Sequence, residues 1–540
     1  MSSVDYDCMI IGAGFAGLRA LIEAHKRGLN ARLIEAGTDV GGTWYWNRYP
    51  GARTDSESWV YCYSFDDGLL QDWVWEDRYP DQVQVQSYLA HVADRFDLRK
   101  DIDLSTRVEK MTRDDATNSW TVRTDAGTES TCTYLIAATG LLSVAHLPFP
   151  GVESFKGERY VSSDWPKERP DFAGKRVGIV GTGSSGIQLI PLVAQTAGSL
   201  TVFQRTPNFV MPARNCPVDQ LQRDAIKNDY SAIWEKARGH VFGFPMNTPG
   251  RNLVDTEESE RQRILERGWE IGGFRFLLET FDDIYTDQHA NDVTAEFVRN
   301  KIRAIVEDPE TAELLCPKNH PIGSKRPPLG NYYYETYNRE NVSLVDVSGD
   351  PIESITENGV RLTDGSEHEL DVIIYATGFD AATGALTAID IRGSDGRSLE
   401  DTWRPGARTA LSVAVTGFPN LFLIGGPGSP FGNNPPITEF CATWIGDAIT
   451  YLRDGGADFM DPTPEAMEEW TRKMQVIIDD SLMGQGEAAG TWFLGANIPG
   501  KPHTPLFYLG GAPAFRAELE EVAKQGYPGF TLSRAGVAVG

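Results

Sequence analysis

Two glycine-rich loops constrain the fold of this chain more than any other feature. The first, GAGFAG at residues 12–17, follows the apolar run CMII, and the second, GTGSSG at residues 181–186, follows the apolar run VGIV. Glycines at this spacing allow a tight turn, and they let a helix N-terminus approach a pyrophosphate with its free N–H groups. The glycines of the two loops are Gly12, Gly14, Gly17, Gly181, Gly183 and Gly186. The sequence therefore predicts an α/β protein with two Rossmann-like dinucleotide-binding domains.

The two units differ at the residue that follows their second strand. Glu35 lies 23 positions after Gly12, and the same offset from Gly181 leads to Gln204, which Arg205 follows. A carboxylate can accept hydrogen bonds from ribose hydroxyls but would repel a 2′-phosphate, whereas an arginine would bind that phosphate. Taken alone, Arg205 is typical of an exposed surface arginine. Its register with Glu35 instead predicts NADPH at the second site, and FAD or NAD at the first.

Composition excludes several classes of function. A net charge of -26 over 540 residues argues against nucleic acid or an anionic membrane surface as a partner. The six cysteines form no CxxC pair and the eight histidines form no HxxxH pair, so we expect reduced thiols and no metal site. No apolar stretch approaches the roughly 18 residues that a membrane span needs. We therefore expect a cytoplasmic protein.

A stretch rich in glycine and aromatic residues, GGTWYWNRYPGARTD at residues 41–55, suits a rigid loop against a flat ring system. Here the chain closely resembles the type I Baeyer–Villiger monooxygenases, which are class B flavoprotein monooxygenases, and within them the cyclohexanone monooxygenase group. The resemblance extends to VFQRTP, SKRPPLGNYYYETYN, GFPNLFLIGGPGSPFGNNPP and WFLGANIPGKP, and so to nearly the whole chain. The family signature [A/G]GxWxxxx[F/Y]P[G/M]xxxD is matched by Gly41, Gly42, Trp44, Tyr49, Pro50, Gly51 and Asp55.

The resemblance implies an FAD-dependent, NADPH-consuming enzyme. It would insert one oxygen atom of O2 beside a ketone carbonyl, through a C4a-peroxyflavin and a tetrahedral adduct, to give an ester or lactone. That chemistry needs a fixed positive charge, and arginine stays protonated at any working pH. The position that matches the family's catalytic cation is Arg326 in SKRPP, which Asp55 would hold.

The resemblance also implies the residues that bind each group. The expected FAD contacts are Gly12, Gly14, Gly17, Glu35, Gly42, Thr43, Trp44 and Asp55. The expected NADP contacts are Gly181, Gly183, Ser184, Ser185, Gly186, Arg205, Thr206, Lys325 and Trp492, of which Trp492 would lie on a mobile loop. The expected substrate pocket contains Phe244, Leu278, Phe431, Gly432, Asn434 and Phe507. Without the family, Lys325 and Arg326 are equally typical of surface ion pairs, and Trp492 of a core anchor.

These assignments divide the chain. Residues about 220–325 show helical spacing and mixed charge, which indicates a helical insertion in the NADP-binding domain. We expect no stable obligate oligomer, but a monomer or a weak homo-oligomer. The predicted boundaries are 1–145 and 385–540 for the FAD-binding domain, 152–218 and 330–380 for the NADP-binding domain, 219–329 for the insertion, and 146–151 and 381–384 for the linkers.

The predicted pocket segment SPFGNNPP, residues 429–436, indicates the kind of ketone. Gly432 lacks a side chain and Asn434 supplies an amide, so the pocket is expected to be larger and more polar than a cycloalkanone needs. We therefore expect a ketone that is bulkier or more functionalised than cyclohexanone.

Three other activities compete with ester formation. A class B enzyme could oxidise sulfur or nitrogen, but such chemistry does not need the cation at Arg326. An uncoupled NADPH oxidase would release peroxide without oxidising a ketone. A disulfide reductase is disfavoured because the chain has no CxxC pair.

The segment FKGERYVSSDWP, residues 155–166, departs from the family fingerprint FxGxxxHxxxWP at one position. Phe155, Gly157, Trp165 and Pro166 match, but Val161 replaces the histidine. Valine has no titratable proton and no hydrogen-bonding atom in its side chain. The segment reads as neither a helix nor an alternating strand, and the resemblance implies a connector between the FAD and NADP domains rather than a surface loop.

Overall fold

The structure is a computed structural model that describes residues 4–534 and 537–538. Its strands are β1 Tyr6–Ile11, β2 Ala31–Ile34, β3 Ile102–Asp103, β4 Val108–Asp114, β5 Ser119–Thr124, β6 Glu129–Ala137, β7 Glu158–Val161, β8 Arg176–Val180, β9 Ser199–Gln204, β10 Met211–Pro212, β11 Leu329–Gly330, β12 Val342–Asp346, β13 Ile352–Ile355, β14 Gly359–Leu362, β15 Glu367–Glu369, β16 Val372–Tyr375, β17 Asp390–Arg392, β18 Leu421–Leu423, β19 Ser429–Pro430, β20 Phe459–Pro462, β21 Phe507–Tyr508, β22 Phe530–Arg534 and β23 Val537–Ala538.

The α-helices connect these strands and form the region between the two sheets. They are α1 Phe15–Lys26, α2 Thr43–Trp46, α3 Asp67–Asp72, α4 Gln82–Arg95, α5 Ser184–Val193, α6 Gln220–Gly239, α7 Glu258–Ile271, α8 Arg275–Leu278, α9 Gln288–Ile305, α10 Pro309–Leu315, α11 Gly384–Thr387, α12 Leu399–Trp403, α13 Asn434–Asp454, α14 Pro464–Asp479 and α15 Ala512–Lys524. Short 3₁₀ helices span Ser58–Val60, Arg99–Asp101, Val152–Ser154, Ser162–Asp164, Glu335–Asn338, Ser394–Gly396, Leu482–Ala489 and Trp492–Leu494.

Two sheets carry the two glycine loops. The larger has the order β17-β4-β5-β6-β1-β2-β3, with β18 paired to β6, and the smaller has the order β12-β9-β8-β16-β7. In the smaller sheet every pairing is parallel. Parallel strands covered on both faces read as apolar runs, as in the fully buried β16. The prediction of an α/β fold with two Rossmann-like units is confirmed.

Each glycine loop packs against an Ala-Thr-Gly turn that ends a neighbouring strand. Gly12 has φ +104°, and a Cβ added there would lie 2.6 Å from the carbonyl oxygen of Ala138. Gly181 has φ +106°, and its added Cβ would lie 2.5 Å from the carbonyl oxygen of Ala376. Only glycine satisfies both constraints, so the two phosphate loops are built in the same way.

The helices between residues 220 and 315 pack on two different cores. Tyr230 and Trp234 of α6 belong to the same buried cluster as β1 and α1. Leu265 of α7, Val298 of α9 and Leu315 of α10 belong instead to the cluster around β8 and α5. The helical region therefore contacts both halves of the molecule.

The expectation that segment 155–166 forms neither a helix nor a strand was wrong. Residues 158–161 form β7, the edge strand of the smaller sheet, parallel to β16 with Val161 opposite Tyr375. A Cβ on Gly157 would lie 2.4 Å from the carbonyl oxygen of Asp371, which explains that glycine. Buried Trp165 packs on Tyr160 at 5.3 Å between ring centres. The fingerprint frame is therefore an edge of the second domain.

Within residues 4–534 and 537–538, no helix combines the length and the apolar character that a membrane span requires.

Candidate active site

A cavity of about 1050 Å³ lies where the two glycine loops meet. Its wall includes residues 11–16, residues 180–185, much of the 41–56 segment, and Lys325 with Arg326. Strand ends and helix N-termini of both sheets therefore face one space, as expected for ligands at the carboxyl ends of parallel strands.

Arg326 and Asp55 form an ion pair in this wall. Nη2 of Arg326 lies 2.6 Å from Oδ2 of Asp55, whose side chain is 6% exposed while that of Arg326 is 24% exposed. Nη1 of Arg326 donates a hydrogen bond of 3.0 Å to Oγ of Ser184, at the start of α5. The ring centre of Phe274 lies 5.7 Å from Cζ of the guanidinium. Three chain segments thus fix one cation at the junction of the two loops.

Two effects act in opposite directions on the pKa of the carboxyl group in this pair. Burial raises the pKa of Asp55, and the Arg326 guanidinium acts in the other direction. Oδ1 of Asp55 is buried and has no hydrogen-bond partner among the residues that the structure describes. Asp55 therefore offsets the charge of Arg326 through one oxygen only.

The first loop fits a dinucleotide with a free ribose. Oε2 of Glu35 accepts a hydrogen bond of 2.7 Å from the backbone N–H of Ala13, and Oε1 accepts one of 2.6 Å from Gly37. Burial raises the pKa of Glu35, while these N–H donors act to lower it. The carboxylate is thus fixed beside the first loop, as the sequence predicts for a ribose contact.

The flat part of that ligand fits against the 41–55 segment. A Cβ on Gly42, which has φ +54°, would lie 2.8 Å from Cα of Gly14, so the two backbones touch. Thr43 and Trp44 line the cavity next to them. Nε1 of Trp44 donates to the hydroxyl of Tyr61 at 3.2 Å, which fixes the indole. These residues make a rigid wall for a flavin ring.

The second loop fits a phosphorylated dinucleotide. Gly183 faces open space, because an added Cβ would have no atom within 4 Å. Arg205, Thr206 and Lys325 all line the cavity near it. Burial, aided by Arg205, lowers the pKa of Lys325 to about 8. Two neighbouring cations in a half-buried wall suit a 2′-phosphate.

Gln204 occupies the structural equivalent of Glu35, but it faces away from the cavity. The N–H of Gly12 donates to the carbonyl of Ile34, the residue before Glu35, and the N–H of Gly181 donates to the carbonyl of Phe203, the residue before Gln204. These matching bonds confirm the predicted register. Nε2 of Gln204 donates to the carbonyl of Leu314 at 2.8 Å. Arg205, not Gln204, is therefore the polar residue of this position that reaches the ligand space.

An aromatic cluster closes the opposite end of the cavity. The ring of Phe431 lies 6.1 Å from those of Trp492 and Phe507, and Trp492 lies 4.9 Å from Phe507. Asn434, the first residue of α13, is exposed to the cavity. Phe244 and Leu278 are not part of the cavity wall; Phe244 packs behind it on Phe274, at 5.6 Å.

Gly432 has a different role from the one that the sequence indicates. Its added Cβ would lie 2.7 Å from the carbonyl oxygen of Phe242. The backbone of residue 242 therefore occupies the space that a side chain would take. The glycine allows a close approach of two chain segments, and it does not enlarge the pocket.

Sequence reasoning missed a bridge between the two halves. The hydroxyl of Tyr49 donates to Oε1 of Gln188 at 2.8 Å, and Nε2 of Gln188 donates to the carbonyl of Arg53 at 3.0 Å. Gln188 lies on α5, and Tyr49 and Arg53 lie in the 41–55 segment. The sequence shows only that Gln188 is a polar residue in the second turn of the helix after a glycine loop, and this does not indicate which residues it contacts.

Comparisons with known proteins agree with this site. Residues 6–219 match the family described as flavin-binding monooxygenase-like. A Baeyer–Villiger monooxygenase of Pseudooceanicola batsensis is 42% identical over 533 residues, 98% of this chain and 97% of that protein. The phenazine N-monooxygenase PhzNO1 of Lysobacter antibioticus is 41% identical over 530 residues, 98% of this chain and 97% of that protein.

A solved structure supports the same relationship at the level of the fold. The crystal structure of cyclohexanone monooxygenase from Rhodococcus sp. Phi1 bound to NADP+ superimposes with a TM-score of 0.95 at 42% identity, covering 98% of this chain and 99% of that one. The two glycine loops, the cation between them and the full-length similarity lead to one conclusion: the chain belongs to the type I Baeyer–Villiger monooxygenases, which use FAD and NADPH.

Proposed function

We propose that this enzyme inserts one oxygen atom of O2 next to the carbonyl of a ketone and releases an ester or lactone. The observation that carries the proposal is the Arg326–Asp55 pair, placed where the two dinucleotide loops and the aromatic end of the cavity meet. When bound and reduced by NADPH, the flavin supplies activated dioxygen.

Arg326 provides the electrostatic part of catalysis. Its guanidinium stays protonated throughout the working pH range, so it holds a positive charge where negative charge develops on oxygen. Ser184 and Asp55 fix its two terminal nitrogens, and Phe274 flanks its plane. Because these contacts exist before the substrate binds, little reorganisation is needed during the reaction.

The aromatic cluster provides the dry environment that this charge requires. Phe431, Phe507 and Trp492 pack edge to face and present apolar surface to the cavity. Exclusion of water strengthens the interaction of Arg326 with a developing charge. In this proposal Trp492, which lines the cavity, covers the nicotinamide end of the cofactor.

The ketone is defined by this end of the cavity. Since the backbone at Phe242 fills the space beside Gly432, that glycine does not indicate a bulkier substrate. The exposed amide of Asn434 remains, and it favours a ketone that carries a hydrogen-bonding substituent.

An isotope experiment tests the reaction. The purified holoenzyme is supplied with NADPH, ¹⁸O2 and a panel of cyclic and open-chain ketones, with and without polar substituents. We expect one labelled oxygen in the ester and one ketone consumed per NADPH. Peroxide release with no label in any ester would contradict the proposal, and a preference for unsubstituted ketones would contradict the role of Asn434.

Nitrogen or sulfur oxidation is the second candidate, because one relative of 41% identity is a phenazine N-monooxygenase. The same assay separates the two functions when phenazine and an aryl methyl sulfide join the panel. Turnover of the heterocycle with every ketone unreacted would favour this candidate, since the Arg326 cation would then have no developing oxyanion to stabilise.

A further inference from the structure

Glu57 lies two residues after Asp55 and is fully removed from the cavity. Its side chain is 3% exposed, yet it contacts two arginines from different parts of the chain. We propose that Glu57 is a positioning residue for Arg326, acting through Arg275 and the ring of Phe274. The inference rests on the proposed function, in which Arg326 is the catalytic cation.

The contacts around Glu57 are those of a built site. Oε1 accepts hydrogen bonds from Nε and Nη2 of Arg78 at 3.1 and 2.9 Å. Oε2 accepts one from Nη2 of Arg275 at 3.0 Å. Although burial acts to lower the pKa of Arg275, the contacts with Glu57 raise it. A buried carboxylate with both oxygens bound to guanidinium groups is held firmly, because its charge is paired and both oxygens accept hydrogen bonds.

Arg275 connects this cluster to the active-site cation. It is the first residue of α8, and Phe274 immediately precedes it. The ring of Phe274 lies 5.7 Å from the guanidinium carbon of Arg326. A cation over an aromatic face is attracted by the ring and is also restricted in direction. Glu57 therefore joins the Asp55 loop to the residue that follows the ring flanking Arg326.

The chain before Phe274 has little freedom to compensate. A Cβ on Gly273 would lie 2.2 Å from the hydroxyl of Tyr79, and one on Gly272 would lie 2.3 Å from the carbonyl of Pro212. The guanidinium of Arg78 also lies 5.1 Å from the ring centre of Tyr79. The turn at 272–274 is thus packed against the residues that bind Glu57.

Two ion pairs therefore fix the same loop. Asp55 binds Arg326, and Glu57 binds Arg275, from positions two residues apart. A hydrogen bond of 2.7 Å from Oγ1 of Thr54 to the carbonyl of Ser56 stiffens the backbone between them. Glu57 thereby sets the distance between the Asp55 loop and the helical region, and with it the place of Arg326.

The test compares Glu57→Gln with the matched control Glu279→Gln. Glu279 also binds Arg275, at 2.9 Å, and it accepts a hydrogen bond from the backbone N–H of Asn247. Among the described residues it forms no hydrogen bond or ion pair with residues 54–57. Ester formed per NADPH consumed, the rate of flavin reduction and the thermal midpoint are measured for each holoenzyme. For Glu57→Gln we expect the ester yield and kcat to fall by about 10- to 100-fold with the KM for NADPH unchanged. The control should stay within about twofold of the wild type.

Hydrogen exchange gives a readout that does not depend on turnover. Peptides covering residues 272–281 should exchange faster in Glu57→Gln than in Glu279→Gln. If Glu57→Gln does not fold, Arg275→Met tests the same contact, because Glu57 then keeps Arg78. Combining Glu57→Gln with Arg275→Met should cost less than the sum of the two single variants, since both remove the Glu57–Arg275 pair.

The outcomes are distinct. Equal ester yields and equal exchange for Glu57→Gln and the wild type would overturn the proposal, as would equal losses in the two glutamate variants. A wild-type enzyme that makes no ester from any ketone would contradict the proposed function instead, and faster exchange at residues 272–281 would then still support the Glu57–Arg275–Phe274 linkage.

Discussion

Nη2 of Arg326 lies 2.6 Å from Oδ2 of Asp55, while the second carboxylate oxygen has no hydrogen-bond partner among the described residues. The pair is therefore singly bridged, unlike a two-bond arginine–carboxylate fork. Nη1 of Arg326 instead donates to the neutral hydroxyl of Ser184 at 3.0 Å. Both terminal nitrogens of Arg326 are thus held by the protein, while the side chain lines the cavity.

Replacing Arg326 separates the two halves of the reaction. Arg326→Met should lower ester formation by about 10²- to 10³-fold, because one fixed donor to a developing oxyanion is lost. Flavin reduction by NADPH should change little, since the 2′-phosphate contacts at Arg205 and Lys325 remain. Stopped-flow reduction and product analysis measure the two steps. Arg326→Lys is the control: it keeps the charge but cannot contact Ser184 and Asp55 together. Ester formation at the wild-type rate in Arg326→Met would refute the catalytic role.

Gly183 and Gly181 offer a matched pair for the second phosphate site. Gly183→Ala should fold normally, because its Cβ meets no atom within 4 Å, but should weaken NADP+ binding by about tenfold or more, or about 1.4 kcal/mol. Gly181→Ala places a Cβ 2.5 Å from the carbonyl of Ala376 at φ +106°, a strain of about 1–3 kcal/mol. It should therefore lower the thermal midpoint. Calorimetric titration measures the affinity for NADP+, and thermal unfolding measures the midpoint, for both variants. If Gly183→Ala bound NADP+ as tightly as the wild type, the pyrophosphate would not lie against Gly183.

The lowered pKa of Lys325 leads us to expect that the preference for NADP+ over NAD+ depends on pH. Its pKa is lowered to about 8 without ligand, so the protonated form, which binds phosphate, dominates below pH 8 and is lost above it. A 2′-phosphate would raise that pKa, so NADP+ affinity must fall as the pH rises through 8. We expect the preference for NADP+ over NAD+ to drop by about tenfold between pH 7 and 9.5.

The control for this titration is Lys325→Arg, which stays charged up to pH 12. Its preference for NADP+ should therefore be flat over the same range. A wild-type preference that is equally flat would mean that Lys325 does not contact the phosphate.

Val161→His introduces the histidine that the family fingerprint predicts, at a position on the edge strand of the smaller sheet. Val161 packs beside Phe149 and opposite Tyr375, whose buried hydroxyl has no partner within the described ranges. Neutral histidine should be tolerated, but the charged form is costly in an apolar cluster, so the thermal midpoint should fall more at pH 5 than at pH 8.

Ester yield per NADPH should not change in Val161→His, because Ser163 and Asp164 line the cavity and Val161 does not. Val161→Thr, which cannot titrate, is the control for the pH effect. A changed ester yield would show that this edge of the sheet takes part in catalysis.

Features encoded by local steric rules were predictable from the sequence. The glycine loops and the register of Glu35 with Gln204 follow from backbone geometry that repeats in both units. The role of Gly432 could not be predicted, because the sequence does not distinguish a glycine beside a pocket from a glycine packed against a carbonyl group. The strand at 158–161 was missed because an edge strand needs no strict alternation of polar and apolar residues.

Contacts between distant charged residues were the least accessible. Glu57, Arg78 and Arg275 look like ordinary surface charges in a chain with 126 charged residues, and nothing local states that they meet. The pairing of Asp55 with Arg326 was predicted only from the family resemblance, and the structure brings the two residues to ion-pair distance.

The division of the helical region between two cores has a mechanical consequence. With α6 packed on one half and α7, α9 and α10 on the other, a rotation of the halves would change the span of the chain from His240 to Glu257, which has no regular structure. Gly250 in that span has no neighbour that would resist a new side chain. Residues 240–257 are thus the covalent connection, within the helical region, between the part that packs on one half and the part that packs on the other.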